Sequence, residues 1–352
     1  MKKILFLYTE LAEYVLASME ATKSHNVALH IVRWPVNKEA PFEFRNLENA
    51  TIYDRDSLTD DALLELAKEI NPDVILTSGW VDKGYLKVNK AFFKKCPTVL
   101  LLDNQYTGDL KQKVAAFISP FWLRKMFSNA WVPGTPQFIF AQKLGFPEAS
   151  IKRGFYCADT TLFDQFYTSY PERKTALPTK FIYVGRYVDF KGIEELWSAF
   201  TRFKTTYPSW ELICIGTGDL FDQKVEAEGI HHRGFVQPSD LKEHLKDAGV
   251  FVLPSRKEPW GVVVHEMAAA GFPIICSNTI GAASRFLEEG ENGFIFEANN
   301  EESLYQAMVK IAAISPTELL TMSEKSRTLA MDLTPEKWAK TLLSFIPSTS
   351  AQ

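Results

Sequence analysis

The sequence predicts an α/β protein built from two doubly wound, Rossmann-like parallel-sheet domains. Three observations carry this. The chain has 352 residues, about two domains' worth of length. Short apolar runs alternate with longer segments of helical period, the pattern of parallel strands joined by crossover helices. The alternation breaks once, at Tyr167–Thr179, a stretch with two prolines and few large apolar groups, and then restarts. Ligands of open α/β sheets bind beyond the carboxyl ends of the strands, so two such domains facing each other would make a central cleft.

The elements follow in order. Lys3–Tyr8 reads as a strand, Glu13–Ala21 as a helix and Val27–Val32 as a second strand. Asp60–Ile70 has apolar residues at helical spacing (Leu63, Leu64, Leu66, Ala67, Ile70) and stops at Asn71-Pro72. Asp73–Thr77 and Thr98–Leu102 are short apolar runs, as buried strands should be. After the break, Lys180–Val184, Glu211–Ile215, Val250–Leu253 and Pro273–Ser277 read as strands. Ile193–Phe203, Val262–Ala270, Ser303–Ala313 and Thr317–Leu333 read as helices, with another from Ser239-Asp240 through Ala248. The expected division is residues 1–166, residues 180–333, and a terminal helix within 334–352.

Composition narrows the function. Hydrophobic residues at 46% and charged residues at 23% exclude a disordered or fibrous chain. A net charge of −4 gives no reason to expect a nucleic-acid partner. Cys96, Cys157, Cys214 and Cys276 form no C-x-x-C pair, which argues against zinc and against a disulfide framework. The apolar run Ile4–Tyr8 is too short for a signal peptide, and no stretch approaches a membrane span. A cytoplasmic protein is expected.

The chemistry concentrates in Pro254-Ser-Arg-Lys-Glu258-Pro-Trp260-Gly261-Val262-Val-Val-His-Glu266. A strand ends at Leu253, a loop carries Glu258, Trp260 and Gly261, and a helix then starts. Its first-turn N–H groups suit an anion. Carboxylates accept from hydroxyls, so Glu258 and Glu266 around that helix start suit a ligand bearing both hydroxyls and phosphate. Gly185-Arg186-Tyr-Val-Asp-Phe-Lys191-Gly192 puts two cations in another strand-to-helix loop, where they can clamp a departing diphosphate. Ile215-Gly216-Thr-Gly218 lacks the third glycine of a dinucleotide fingerprint, where Phe221 stands. Asp54-Arg-Asp56 spells a metal motif of another fold but reads here as a surface turn before a helix. Adjacent His231 and His232 cannot face one metal together. No metal and no cofactor are expected.

Glu258 and Glu266 with seven residues between them, Pro254-Ser255 before and Gly261 inside, resemble the E-x7-E motif of the retaining glycosyltransferases of family 4. Met267 to Ile275, Gly281 and Glu291-Asn-Gly-Phe-Ile-Phe296 continue the likeness in order, which is strongest over Lys180–Phe296. The resemblance implies the GT-B fold and a nucleotide-diphosphate sugar as donor. It places Glu258 on the donor sugar and Glu266 on the ribose, with the N–H groups of Gly261 and Val262 at the diphosphate and Trp260 among the donor-binding residues. Arg186, Lys191 and Gly185 match the family's "GR…KG" loop. Gly216 matches its "G-x-G" strand end, and His231 to Phe235 its segment near the base. Thr334 to Phe345 looks like the last helix, which crosses back to the first domain.

Residues 1–166 depart from the family. Thr9 to Tyr14 lacks the glycine-rich loop common after the first strand, and no histidine lies between His30 and His231. Ala282-Ala-Ser-Arg285 replaces the usual glutamate after Gly281. Leu102-Asp103-Asn104-Gln105 stands at the place of the acceptor-side histidine, so Asp103 or Asn104 is expected to orient acceptor or sugar hydroxyls.

Lys83 to Arg153 holds twelve Lys and Arg against three acidic residues. Within it, residues 111–127 combine Lys111, Lys113, Arg124 and Lys125 with Phe117, Ile118, Phe121, Trp122 and Phe127, the look of a membrane-surface segment, though Pro120 should interrupt any long helix. The expectation is a retaining, metal-independent hexosyltransferase on the inner face of the plasma membrane. It would move sugar to a glycan or lipid-linked acceptor in bacterial surface polysaccharide synthesis. A sugar-nucleotide epimerase on the same fold, or a non-catalytic sugar-nucleotide or glycan binder, is the alternative.

Overall fold

A computed structural model of the chain describes residues 1–35, 47–237 and 240–347. The chain divides into two compact units, Met1–Ala158 with Leu333–Gln352, and Asp159–Asp332.

The first unit is a sheet of β1 (Lys2–Tyr8), β2 (Val27–Arg33), β3 (Ala50–Asp54), β4 (Val74–Ser78), β5 (Thr98–Leu101), β6 (Asn129–Val132) and β7 (Ile151–Arg153). Helices α1 (Glu13–Glu20), α2 (Asp60–Ile70), α3 (Lys83–Phe92), α4 (Leu110–Trp122) and α5 (Thr135–Lys143) connect the strands. Every pairing is parallel, in the order β3-β2-β1-β4-β5-β6-β7. Ile4, Leu5, Phe6 and Leu7 are fully buried, because a parallel strand covered on both faces needs a continuous apolar run. Helix α2 starts where the Thr59 hydroxyl accepts from the Ala62 N–H at 3.2 Å and ends at Asn71 in the left-handed region.

The second unit repeats the plan with β8 (Lys180–Val184), β9 (Glu211–Ile215), β10 (Ile230–His232), β11 (Val250–Leu253), β12 (Ile274–Ser277) and β13 (Gly293–Phe296). Their order is β10-β9-β8-β11-β12-β13, again all parallel. Its helices are α6 (Thr160–Ser169), α7 (Ile193–Thr206), α8 (Lys242–Leu245), α9 (Val262–Ala269), α10 (Ala283–Phe286), α11 (Glu301–Ala312) and α12 (Pro316–Met331). In both sheets the chain steps outward one way, then returns to the middle and steps the other way. The reversal lies between β1 and β4 in the first and between β8 and β11 in the second. Helix α13 (Pro335–Leu343) belongs to the first unit.

Three expectations are corrected. The units part at Ala158/Asp159 rather than in the stretch Tyr167–Thr179. That stretch is docked on the second unit: the buried Arg173 guanidinium donates to the Leu245 and Ala248 carbonyls and lies 4.4 Å from the Phe272 ring. Pro120 does not interrupt α4, which runs on to Trp122. A proline in the last turn costs one backbone bond, and the Ser119 hydroxyl stands 3.5 Å from the Ala116 carbonyl that loses its partner. The helix expected through Ala248 is the single turn α8, and Ser239 lies outside the described residues.

Candidate functional site

In an open parallel sheet, the loops leaving two neighbouring strands at the reversal diverge and leave a crevice beyond the strand ends. In the second unit those loops are Gly185–Gly192 after β8 and Pro254–Gly261 after β11. They are clamped to each other. Gly192 has φ +65°, and a Cβ there would stand 2.3 Å from the Pro254 carbonyl oxygen. The Phe190 carbonyl accepts from the Arg256 N–H at 2.9 Å. The Arg256 guanidinium donates to Glu195 of α7 at 2.6 Å and also to Asp189. The Lys191 ammonium sits on the Glu258 carboxylate, with side chains only 14% and 13% exposed.

The Glu258 loop is held from its other side too. The Glu258 carbonyl accepts from the Gly281 N–H at 3.3 Å and the Trp260 carbonyl from the Ala282 N–H at 2.9 Å. Trp260 is buried, edge-on to Phe286. Gly261 takes φ +89° at the start of α9, and a Cβ there would approach the Glu258 Cγ to 3.0 Å. The turn thus brings Glu258 against the first turn of α9, which begins at Val262 and whose N–H groups lack helical partners. His265 anchors the helix: its ring stacks on Phe286 with centroids 4.0 Å apart, and its Nε2 bonds the Ala330 carbonyl at 3.0 Å. Glu266 is half-buried. Loss of hydration pushes its carboxyl up to about 7, with the Asp159 charge adding to the rise.

The β9 loop packs as tightly on the β8 loop. Gly216 and Gly218 approach the Gly185 and Tyr187 carbonyls so closely that a Cβ would stand 1.9 Å and 2.5 Å from them. Arg186 is exposed, its guanidinium 5.5 Å from the Phe190 ring centroid. Phe235, beyond β10, is 38% exposed. The two histidines do different work. His232 Nδ1 meets the Tyr187 hydroxyl at 2.9 Å and its Nε2 donates to the Val225 carbonyl at 3.0 Å, while His231 lies 3.6 Å from Glu211.

In the first unit, Asp103 follows β5 and accepts from the Tyr156 hydroxyl at 3.0 Å. Desolvation raises its carboxyl, and the Tyr156 hydrogen bond works against that rise. The Asn104 amide lies 3.4 Å from it. Asp54 ends β3 instead of sitting in a loop, and it pairs with Arg33 at 3.1 Å. Its neighbour Arg55 is bound to Asp60 and Asp82. No group of three or more His, Cys, Asp or Glu among the described residues could hold a metal ion.

Sequence reasoning singled out Lys191, Glu258 and Gly261, which the fold brings into contact. It missed Asp189, Glu195, Arg256 and Tyr156. Arg256 stands between the predicted residues, but its partners lie 61 and 67 positions away, so no local spacing signals them.

Two parallel sheets of this order with their helices make the GT-B glycosyltransferase fold, and solved structures match it over nearly the whole chain. Anabaena HepE in complex with UDP and glucose has a TM-score of 0.72 at 14% identity, over 98% of this chain and 99% of that one. A glycosyltransferase from Rickettsia africae gives 0.73 at 15% identity, over 99% and 100%. Residues 171–327, most of the second unit, match the family described as "Glycosyl transferases group 1". An uncharacterized glycosyltransferase of Haemophilus influenzae is 30% identical over 171 residues, 47% of each chain. The alpha-monoglucosyldiacylglycerol synthase of Acholeplasma laidlawii is 31% identical over 166 residues, 45% of this chain and 41% of that protein. The matched stretch spans about half the length of these curated relatives or less. No helix of the described residues is long and apolar enough to cross a membrane.

Proposed function

We propose that the protein is a retaining, metal-independent glycosyltransferase that moves a hexose from a nucleotide-diphosphate sugar to a glycan or lipid-linked acceptor. The observation that carries this reading is the Lys191–Glu258 pair at the start of α9, at the switch point of the second sheet. Glu258 accepts from hydroxyls of the donor sugar. Lys191 and Arg186 take the diphosphate, together with the N–H groups of Gly261 and Val262. Glu266 accepts from the ribose hydroxyls, and Gly185, Gly216, Trp260 and Phe235 shape the space for sugar and base.

Transfer needs little more from the protein than position and charge. The bond from the sugar's anomeric carbon to the diphosphate oxygen breaks, and a bond to the acceptor oxygen forms on the same face. The acceptor's proton passes to the departing diphosphate oxygen. Lys191 and Arg186 offset the charge that builds there. Asp103, or Asn104 beside it, orients hydroxyls on the acceptor side. The solved structure of HepE with UDP-glucose and the A. laidlawii synthase, named for a lipid product, support this donor and acceptor chemistry. A protein of E. coli named as a putative colanic acid biosynthesis glycosyltransferase, 24% identical over 199 residues, supports a place in surface polysaccharide assembly.

The test is thermal unfolding with UDP, GDP, ADP and their sugar conjugates, followed by donor turnover. One nucleotide series at 100 times its dissociation constant should add about 2.7 kcal/mol to the wild type. Glu266→Ala and Arg186→Ala should lose that gain. Stabilisation by no nucleotide, or an equal gain in both variants, overturns the donor site. Binding without sugar release or transfer leaves a non-catalytic binder.

A further inference from the structure

Helix α4 of the first unit is apolar on its outside. Leu110, Val114, Phe117, Ile118 and Phe121 are 77%, 49%, 78%, 47% and 68% exposed. They follow one another at steps of four, three, one and three, which puts all five on a single stripe of the helix. The face turned inward is mostly small or polar, with Trp122 at its end the exception. Ser119 is the one buried residue of α4, and its hydroxyl donates to the Leu144 carbonyl at 3.1 Å. Gln112 donates to the Gln105 carbonyl at 2.7 Å, and Ala115 and Trp122 pack against the core. An ordinary surface helix has the reverse arrangement. Scattered exposed apolar residues need no explanation, but a contiguous stripe of five does.

The charge beside the stripe is mostly positive, with the exposed N-cap Asp109 as an acidic neighbour at the helix start. At 100° per residue, Lys111 and Lys113 fall on opposite edges of the stripe, and both are exposed, as is Lys125 just past the helix. The expected roster for residues 111–127 therefore changes. Arg124 is committed inward to the Phe127 and Ser128 carbonyls at 2.7 and 2.9 Å, and Phe127 is fully buried. Leu110 and Val114 join the outer face instead.

We infer that α4 docks in the plane of an anionic lipid surface. The five apolar side chains enter the boundary between headgroups and acyl chains, and Lys111, Lys113 and Lys125 meet the lipid phosphates. A stripe of five large apolar side chains edged by lysines suits the boundary of an anionic membrane, whereas an acidic protein face would match the lysines and leave the apolar stripe against charge. This deepens the lipid-linked acceptor of the proposed function but stands on its own observations.

The experiment is co-sedimentation of the full chain with vesicles of phosphatidylcholine alone and of phosphatidylcholine with 30% phosphatidylglycerol. Phe117→Ser/Phe121→Ser and Lys111→Gln/Lys113→Gln are compared with the wild type, and each is checked for unchanged nucleotide binding. The wild type should partition onto the anionic vesicles. The phenylalanine variant should lose at least about tenfold in partition, and the lysine variant about fivefold for each lysine. No preference for anionic vesicles, or equal binding by the phenylalanine variant, overturns the inference. So does a self-associated wild type, seen by sedimentation velocity, that the phenylalanine variant converts to monomer, because the stripe would then be a contact between copies. Nucleotide binding is read separately, so its loss would count against the donor site and not against α4.

Discussion

Two glutamates eight positions apart stand in different surroundings, and that difference sets what each can do. Glu258 is matched by Lys191, and removing either partner leaves a nearly buried charge, a cost of about 3 kcal/mol. Glu258→Gln should therefore destabilise the second unit as well as lower sugar transfer, by about a hundredfold if it holds the donor sugar in the transition state. Affinity for the stabilising nucleoside diphosphate should not fall, since it lacks the sugar that Glu258 would hold and the change leaves Lys191 free for its diphosphate. Unchanged turnover in Glu258→Gln would remove it from the reaction. Among the described residues, Glu266 has no such cation. Its carboxyl, pushed up to about 7 and above its unfolded value, contributes stability that is fully present at low pH and is lost as pH rises through about 7. If Glu266 holds the ribose, the ionised carboxylate, which accepts from two hydroxyls at once, is the stronger binding form, so the sign for ligand binding is opposite. Affinity for the stabilising nucleotide sugar should weaken about tenfold from pH 8 to pH 6, following the ionised fraction of a group with a pKa near 7. The sugar conjugate is the proper probe, because its diphosphate carries no proton that titrates in that range. Glu266→Gln should bind weakly and without this slope. The same slope in the variant would show that another group titrates.

At the scale of elements, the approach of two loops depends on residues without side chains. Gly192 and Gly290 have similar backbone angles, φ +65° and +79°, but opposite surroundings. A Cβ on Gly192 would strike the Pro254 carbonyl at 2.3 Å, whereas one on Gly290 would meet nothing within 4 Å. Gly290→Ala should cost about 1 kcal/mol for its backbone alone, and Gly192→Ala about 2–4 kcal/mol because the loops must also separate. Equal losses in urea unfolding would mean that the clamp between the two loops stores nothing. Much of this architecture was legible beforehand. Lys180–Val184, Glu211–Ile215 and Val250–Leu253 are strands as read, since a strand buried on both faces has to be apolar throughout. The strands β6, β7, β10 and β13 contain Asn129, Lys152 and Arg153, His231 and His232, and Gly293, and β3 carries exposed Thr51 and Ile52 at its sheet edge, so none offers an unbroken apolar run. The site was legible through motif spacing within each loop. The bonds from Arg256 that lock one loop to the other were not, because they join positions that only the fold brings together. Helix α4 was legible in part: Phe117, Ile118 and Phe121 face outward as the basic and aromatic pattern implied, while Arg124 and Phe127 turn inward.

At the scale of the whole molecule, the chain leaves the first unit at Ala158, builds the second, and returns at Leu333. The return completes a core. Trp338 of α13 is 1% exposed, with ring centroids 5.0 Å from Trp131 and 6.5 Å from Phe6, and its indole N–H donates to the Phe155 carbonyl at 2.7 Å. Three segments far apart in sequence therefore close on one side chain near the end of the chain. Trp338→Ala removes that side chain and leaves a cavity among β1, β6 and the segment after β7, a cost of about 3–5 kcal/mol. Hydrogen exchange locates the damage. Protection should fall in β1 and β6, while β8 and β11, whose hydrogen bonds involve no part of α13, should keep theirs. The nucleotide-induced stabilisation of the second unit should also survive. If β8 and β11 lose protection in step with β1 and β6, the two units unfold as one, and α13 is then a support for the whole chain rather than an element of the first core.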